Sequence, residues 1–234
     1  MRALRSFVFS VWFSVMTVVM VLCGLPLAAF APHLLKSYAG WWSRACYAGL
    51  PICGIRYVVT GVENLPKSGS ALIAAQHQSA FETLLWFTLL PDCRYVMKIE
   101  LLHLPVFGWI ARQFGQIGVE RGAGAQTMRG LLRDANQAWE EGGQVVIFPE
   151  GTRATPGKPI ELKVGFTALA RMSNMPVVPV STDSGHCWRK GWLTKRPGII
   201  HVNIHPAIPA GTSREALMSE VTSLFEALNS PVED

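Results

Sequence analysis

The chain has 234 residues, room for one α/β domain with an appendage. Half of them are hydrophobic and only 16% are charged, which is apolar for a soluble protein. The formal charge of +5 lies in the amino-terminal arm, where Arg2, Arg5, Lys36, Arg44 and Arg56 all precede the first acid, Glu63, and everything after nets to zero. That distribution favours an anionic membrane surface over nucleic acid, and no basic patch interleaved with aromatics is present. The five scattered cysteines form no C-x-x-C pair and no metal-ligand spacing with histidine, so they read as small buried hydrophobes in a reducing compartment.

From Phe7 to Ala31 run 25 residues without a charge, long enough to span a bilayer. Pro26 predicts a kink or an end to that helix. A second apolar stretch, Ser37 to Ile55, carries Trp41, Trp42, Arg44 and Tyr47, and tryptophans beside an arginine suit the headgroup level. Residues 1–55 therefore read as a two-helix hydrophobic membrane anchor, and 56–234 as the domain it carries. Positive charges flank the first helix on both sides, so charge sets no orientation, and a half-embedded hairpin is preferred to a single crossing. The rival is a signal peptide cut after Ala29-Phe30-Ala31. The apolar run is too long for one, and proline would follow the cut.

From Gly54 onward strands and helices alternate. Strands are predicted at 56–60, 71–75, 94–98, 115–119, 144–148, 177–180 and 199–204, and helices at 80–90, 105–113, 125–141, 165–173 and 213–228. The alternation predicts an α/β domain with a mixed, largely buried sheet flanked by helices. Pro179 belongs at a sheet edge or bulge.

The turn from strand 71–75 into helix 80–90 holds His77 and, five residues on, Glu82. No other histidine here has an acid at that distance. Five positions on one helix would set two side chains about 140° apart, so the pair meets only if His77 precedes the helix and Glu82 lies in its first turn. Ser79-Ala80-Phe81-Glu82 also has the form of a capping box, which explains Glu82 without chemistry. Arg121 and Arg153 follow predicted strands, where loops present side chains to substrate. Gly122-Ala123-Gly124 before a helix offers N–H groups to an anion. His33, His103, His186, His201 and His205 have no acid at useful spacing and read as structural.

Four stretches stand in a telling order: His77-Gln78-Ser79-Ala80-Phe81-Glu82, Gly115-Gln116-Ile117-Gly118-Val119-Glu120-Arg121, Phe148-Pro149-Glu150-Gly151-Thr152-Arg153 and Val177-Val178-Pro179-Val180. They resemble the four motifs of the glycerolipid acyltransferases, and most of all the bacterial 1-acylglycerol-3-phosphate (lysophosphatidic acid) acyltransferases, over roughly residues 57–205. Phe-Pro-Glu-Gly-Thr-Arg is the most specific of the four. Three positions depart from the family pattern: Gln76 stands for asparagine, Glu82 for aspartate and Gly118 for phenylalanine.

The resemblance implies transfer of a fatty acyl chain from acyl-CoA or acyl-ACP to the sn-2 hydroxyl of lysophosphatidic acid, giving phosphatidic acid in phospholipid biosynthesis. His77 would be the general base, a task suited to an imidazole, with Glu82 holding its tautomer as in a triad whose alcohol is the substrate's. Ser79 is not needed as a nucleophile, and no G-x-S-x-G elbow is present. Lys98, Arg121, Glu150, Gly151, Thr152 and Arg153 would bind the acceptor and its phosphate, the arginines as bidentate donors. Glu150 would orient Arg121 or the acceptor's polar groups. No metal and no bound cofactor is implied. The implied partners are membrane lipids and acyl-CoA or acyl carrier protein, and the implied place is the bacterial inner membrane with the domain facing the cytoplasm. The alternatives are another acceptor, such as glycerol phosphate or an amino-acid-based lysolipid, and a membrane lipid-binding protein without turnover.

Overall fold

The computed structural model describes residues 1–120 and 124–230. The uncharged amino-terminal run forms one helix, α1 (Arg2–Phe30), long and apolar enough by length and composition to cross a membrane. Pro26 does not end it. A proline inside a helix forfeits one N–H bond, and this one lies near the carboxyl end, where the last turn still closes through the Ala31 N–H to Leu27 O at 2.8 Å. A 3₁₀ turn (Pro32–Leu34) leads into α2 (Leu35–Tyr47). Its 13 residues reach about 20 Å at ~1.5 Å each, short of a hydrocarbon core of about 30 Å. The expected pair of anchoring helices is therefore one long apolar helix and one short helix that packs on the domain.

The rest of the chain runs β1 (Ile55–Thr60), β2 (Ala71–Ala75), α3 (Phe81–Leu89), β3 (Cys93–Lys98), α4 (Ile99–Leu102), α5 (Pro105–Gln113), β4 (Ile117–Val119) and α6 (Ala125–Glu140). It continues with β5 (Gln144–Ile147), α7 (Val164–Ser173), β6 (Val177–Thr182), α8 (Ser184–Cys187), β7 (Gly198–Ile204) and α9 (Arg214–Glu226). The single-turn helices α4 and α8 were not expected, because four residues are too few to show a helical period. α4 accounts for Gly118: a Cβ there would fall 2.4 Å from Ile99 Cδ1 and 2.8 Å from Leu102 Cδ1. Space that a phenylalanine would need is filled by that turn.

The strands form one sheet ordered β1-β7-β6-β2-β5-β3-β4. β6, β2, β5, β3 and β4 run parallel, while β7 is antiparallel to β6 and parallel to β1. β2, β5 and β6 are buried throughout, as central parallel strands covered on both faces must be. Side chains of β2 alternate between two cores. Ala71, Ile73 and Ala75 join Phe9 of α1, Cys46 and Tyr47 of α2 and Phe81, Leu84 and Leu85 of α3. Leu72 and Ala74 join α6, α7 and α9 through residues such as Ala135, Phe166 and Val221. The amino-terminal arm thus shares a core with the sheet. Lys36 of α2 adds a 2.7 Å ion pair to Asp92, which Arg94 also holds at 3.0 Å. Burial works to raise the Asp92 carboxyl, and the bonds from Arg94 and Lys36 overcome it and hold it below its ordinary value.

Pro179 meets one half of its expectation, the bulge and not the edge. It lies in β6, an interior strand, opposite Ala74. Its carbonyl accepts from the His205 N–H at 2.9 Å, and between the pairing of Val180 with Ile204 and that of Val177 with Ile208 the facing segment carries one residue more than β6, a bulge at the proline.

Candidate active site

The five parallel strands deliver their carboxyl ends to one edge of the sheet, the edge at which open α/β sheets bind ligands. His77 follows β2, Lys98 ends β3, Glu120 follows β4, Phe148 to Glu150 follow β5, and Ser184 follows β6. Arg121 lies outside the described residues.

His77 is fixed through its backbone. Its N–H donates to Glu150 Oε1 at 3.2 Å, and its carbonyl accepts from the Ala154 N–H at 2.6 Å. The imidazole stacks on Phe148, centroids 4.2 Å apart and planes at 24°. Nδ1 lies 3.4 Å from Glu82 Oε2, and Nε2 has no partner among the described residues. That separation exceeds the usual ~2.9 Å, so the contact is a long one. With the proton on Nδ1, facing the carboxylate, the Nε2 lone pair is left for an incoming hydroxyl.

Glu82, only 2% exposed, sits in the first turn of α3. Its Oε2 also accepts from the Ser79 N–H at 2.9 Å, while Ser79 Oγ accepts from the Phe81 N–H at 2.9 Å. The N-cap of α3 is Ala80, so these bonds brace the turn one residue outside the expected capping box, and Oε2 serves both the Ser79 N–H and the histidine contact. The other oxygen, Oε1, accepts a hydrogen bond from Ser184 Oγ, on α8 after β6. Ser184 was missed in the sequence because 102 residues separate it from Glu82 and no local pattern marks it. Ser184→Ala is expected to lower the unfolding free energy by about 1–3 kcal/mol, since a buried charged acceptor loses a donor; denaturant titration measures it.

Both glutamines beside the histidine are structural. Gln76 is fully buried, and its Oε1 accepts from the Thr182 N–H at 3.0 Å. Gln78 Oε1 accepts from the Gly185 N–H at 3.0 Å, so the turn after β2 is stitched to the end of β6. Phe148, part of a recognised motif but given no role, proves to be the platform for the imidazole.

Glu150 lies at this same edge of the sheet, and its expected contact with Arg121 falls outside the described residues. It is 4% exposed, and it sits beneath the His77 backbone with Oε2 buried and without a partner among the described residues. Burial pushes its pKa up to about 8; the N–H bonds from its own and the His77 backbone lower it, and the Glu82 charge adds to the rise. The folded chain therefore binds a proton at Glu150 that the unfolded chain releases near its ordinary value of 4.5. Stability from this group is present below that value and is lost as pH climbs towards 8. Glu150→Gln should flatten that decline, which melting midpoints between pH 5 and 8.5 will register.

Gly151 adopts φ +67°, a left-handed backbone suited to glycine, and so turns the chain from Glu150 into Thr152 and Arg153. Thr152, Arg153 and Lys98 are all exposed. The Ala154 bond keeps Arg153 beside the His77 backbone. Lys98 pairs in register with Val119, so Glu120 leaves the sheet next to it.

A family model described as Acyltransferase matches residues 56–183, more than half of the chain and all four motif stretches. The chain belongs to this acyltransferase family. Among relatives of this family member, the 1-acyl-sn-glycerol-3-phosphate acyltransferase of Pseudomonas aeruginosa is 32% identical over 202 residues, covering 86% of this chain and 78% of that one. The enzyme of the same name from Limnanthes douglasii is 30% identical over 159 residues, 67% of this chain and 56% of the plant protein. The crystal structure of the 1-acyl-sn-glycerophosphate (LPA) acyltransferase PlsC from Thermotoga maritima superposes with a TM-score of 0.79 over the whole of both chains at 24% identity, which shows that the fold is shared.

Proposed function

We propose that this chain transfers a fatty acyl group from an acyl-CoA or acyl-ACP thioester to the sn-2 hydroxyl of lysophosphatidic acid, giving phosphatidic acid at the cytoplasmic face of a bacterial inner membrane. The observation that carries the reading is the imidazole of His77, with Nδ1 3.4 Å from a buried carboxylate and Nε2 unengaged at the ligand-binding edge of the sheet. The names of the bacterial and plant relatives support the acceptor class. The long apolar α1 suits lipid reactants.

In this reading His77 Nε2 takes the hydroxyl proton as the alcohol oxygen attacks the thioester carbon. The tetrahedral intermediate collapses with breakage of the C–S bond, and the imidazolium returns the proton to the leaving sulfur. Glu82 keeps the Nδ1 proton in place and stabilises the cation while it exists. Lys98, Arg153 and Arg121, with Thr152, grip the acceptor phosphate. Gly151 lets the backbone approach it, and Glu150 holds the His77 backbone from below.

Labelled acyl thioester and purified protein, given lysophosphatidic acid, glycerol phosphate and an amino-acid-based lysolipid in turn, test the proposal. Label in phosphatidic acid is the expected result. Preference for another acceptor reassigns the substrate, and no transfer to any of them leaves a lipid-binding protein.

A further inference from the structure

A second polar site lies away from His77, between the first turns of α1 and the chain entering β1 and β7. A cavity of about 160 Å³ is lined by Met1, Arg2, Arg5, Ser6, Cys53, Lys195 and Pro197. A water molecule occupies about 30 Å³ of liquid, so a tetrahedral anion fits. The lining has three cationic side chains and no acid, and no carboxylate among the described residues pairs with any of them.

Lys195 is the telling member. It is only 6% exposed, and its Nζ meets no anion among the described residues: it donates to Ser10 Oγ at 3.2 Å and Gly191 O at 2.6 Å and lies 5.9 Å from the Phe9 ring centroid. Burial lowers its pKa, with Cys53 working in the other direction. A buried ammonium without a counter-charge is costly, and an anion in the cavity removes that cost. Arg5 is already oriented, its Nε donating to Ile52 O at 2.5 Å.

The surroundings identify the source of the anion. Leu4, Phe7, Val8 and Val11 leave the same stretch of α1 exposed and apolar, and Trp192 and Leu193 stand exposed on the loop leading to Lys195. Ser10 Oγ bonds Trp192 O at 2.9 Å, holding that loop against the helix. Basic side chains bordered by exposed aliphatics and a tryptophan form the pattern of a headgroup-level contact.

We propose that this cavity binds the phosphate of an anionic membrane phospholipid through Lys195, Arg2 and Arg5. The site is independent of the acyl-transfer reading, since none of its residues touches His77 or Glu82.

The test uses the full chain carrying His77→Ala, so that no turnover intervenes, in neutral detergent with added phosphatidylglycerol, phosphatidylcholine or inorganic phosphate. Native mass spectrometry counts bound lipid. One saturable phosphatidylglycerol is expected, with phosphatidylcholine at least tenfold weaker. Lys195→Met should abolish that preference, whereas Arg44→Gln, which removes an exposed charge of α2 outside the cavity, should leave it intact. If Lys195→Met does not fold, Arg2→Gln must show a loss of about fivefold, the worth of one surface charge near anionic lipid. Equal loss with Arg44→Gln overturns the site in favour of diffuse attraction. Full binding by Lys195→Met overturns it outright, and equal occupancy by inorganic phosphate overturns the lipid assignment.

Discussion

His77→Ala is expected to fold normally and to lose about 10²- to 10⁴-fold in acyl transfer, the usual worth of a positioned general base. The side chain is 14% exposed and its backbone bonds to Glu150 and Ala154 do not depend on the imidazole, so the turn after β2 should survive. What goes is the lone pair on Nε2 and the stacking contact with Phe148. His77→Gln, which retains bulk and polarity but cannot take the proton, should be equally inactive. Steady-state rates with saturating lysophosphatidic acid, beside melting curves of both variants, make the comparison. Near-native turnover by either variant would remove the base from the mechanism.

Glu82→Gln carries the second large effect. A glutamine oxygen accepts a hydrogen bond as the carboxylate does, so the Ser79 N–H keeps an acceptor and the turn into α3 keeps its brace. The charge facing Nδ1 is lost. In a Ser-His-Asp triad the equivalent carboxylate-to-amide change lowers turnover by about 10⁴-fold, through the wrong tautomer. The longer contact here, 3.4 Å, sets the expectation lower, at about 10²- to 10³-fold, with little change in melting midpoint. Glu82→Ala should lose both activity and stability, since the Ser79 N–H and the Ser184 hydroxyl lose their acceptor. Full activity in Glu82→Gln would leave Glu82 a brace of that turn alone.

The fold was legible because its signals are local. Val145, Val146 and Ile147 announce a buried strand, and Gly142-Gly143 closes the helix before it. The meeting of His77 with Glu82 was legible for the same reason, since one strand-to-helix turn contains both. What joins the site across the sheet was not. Ser184 reaches Glu82 only because β6 lies beside β2, and Gln76 and Gln78 spend their amide oxygens on the end of β6. The bond from the His77 N–H to Glu150 depends on β5 lying on the other side of β2, a neighbourhood that no local pattern marks. Pro26 does not end its helix because it falls near the carboxyl end, and Pro179 sits at a bulge of an interior strand rather than at an edge.

Phe9 is fully buried and meets Trp188 edge-on at 5.0 Å, and Tyr47 Oη donates to Phe81 O, one residue before Glu82, at 2.8 Å. Discarding the greasy amino-terminal arm to obtain a detergent-free fragment would thus strip one wall from the interior and loosen the peptide that carries Glu82. Biochemists handling this enzyme must accept the detergent with the chain.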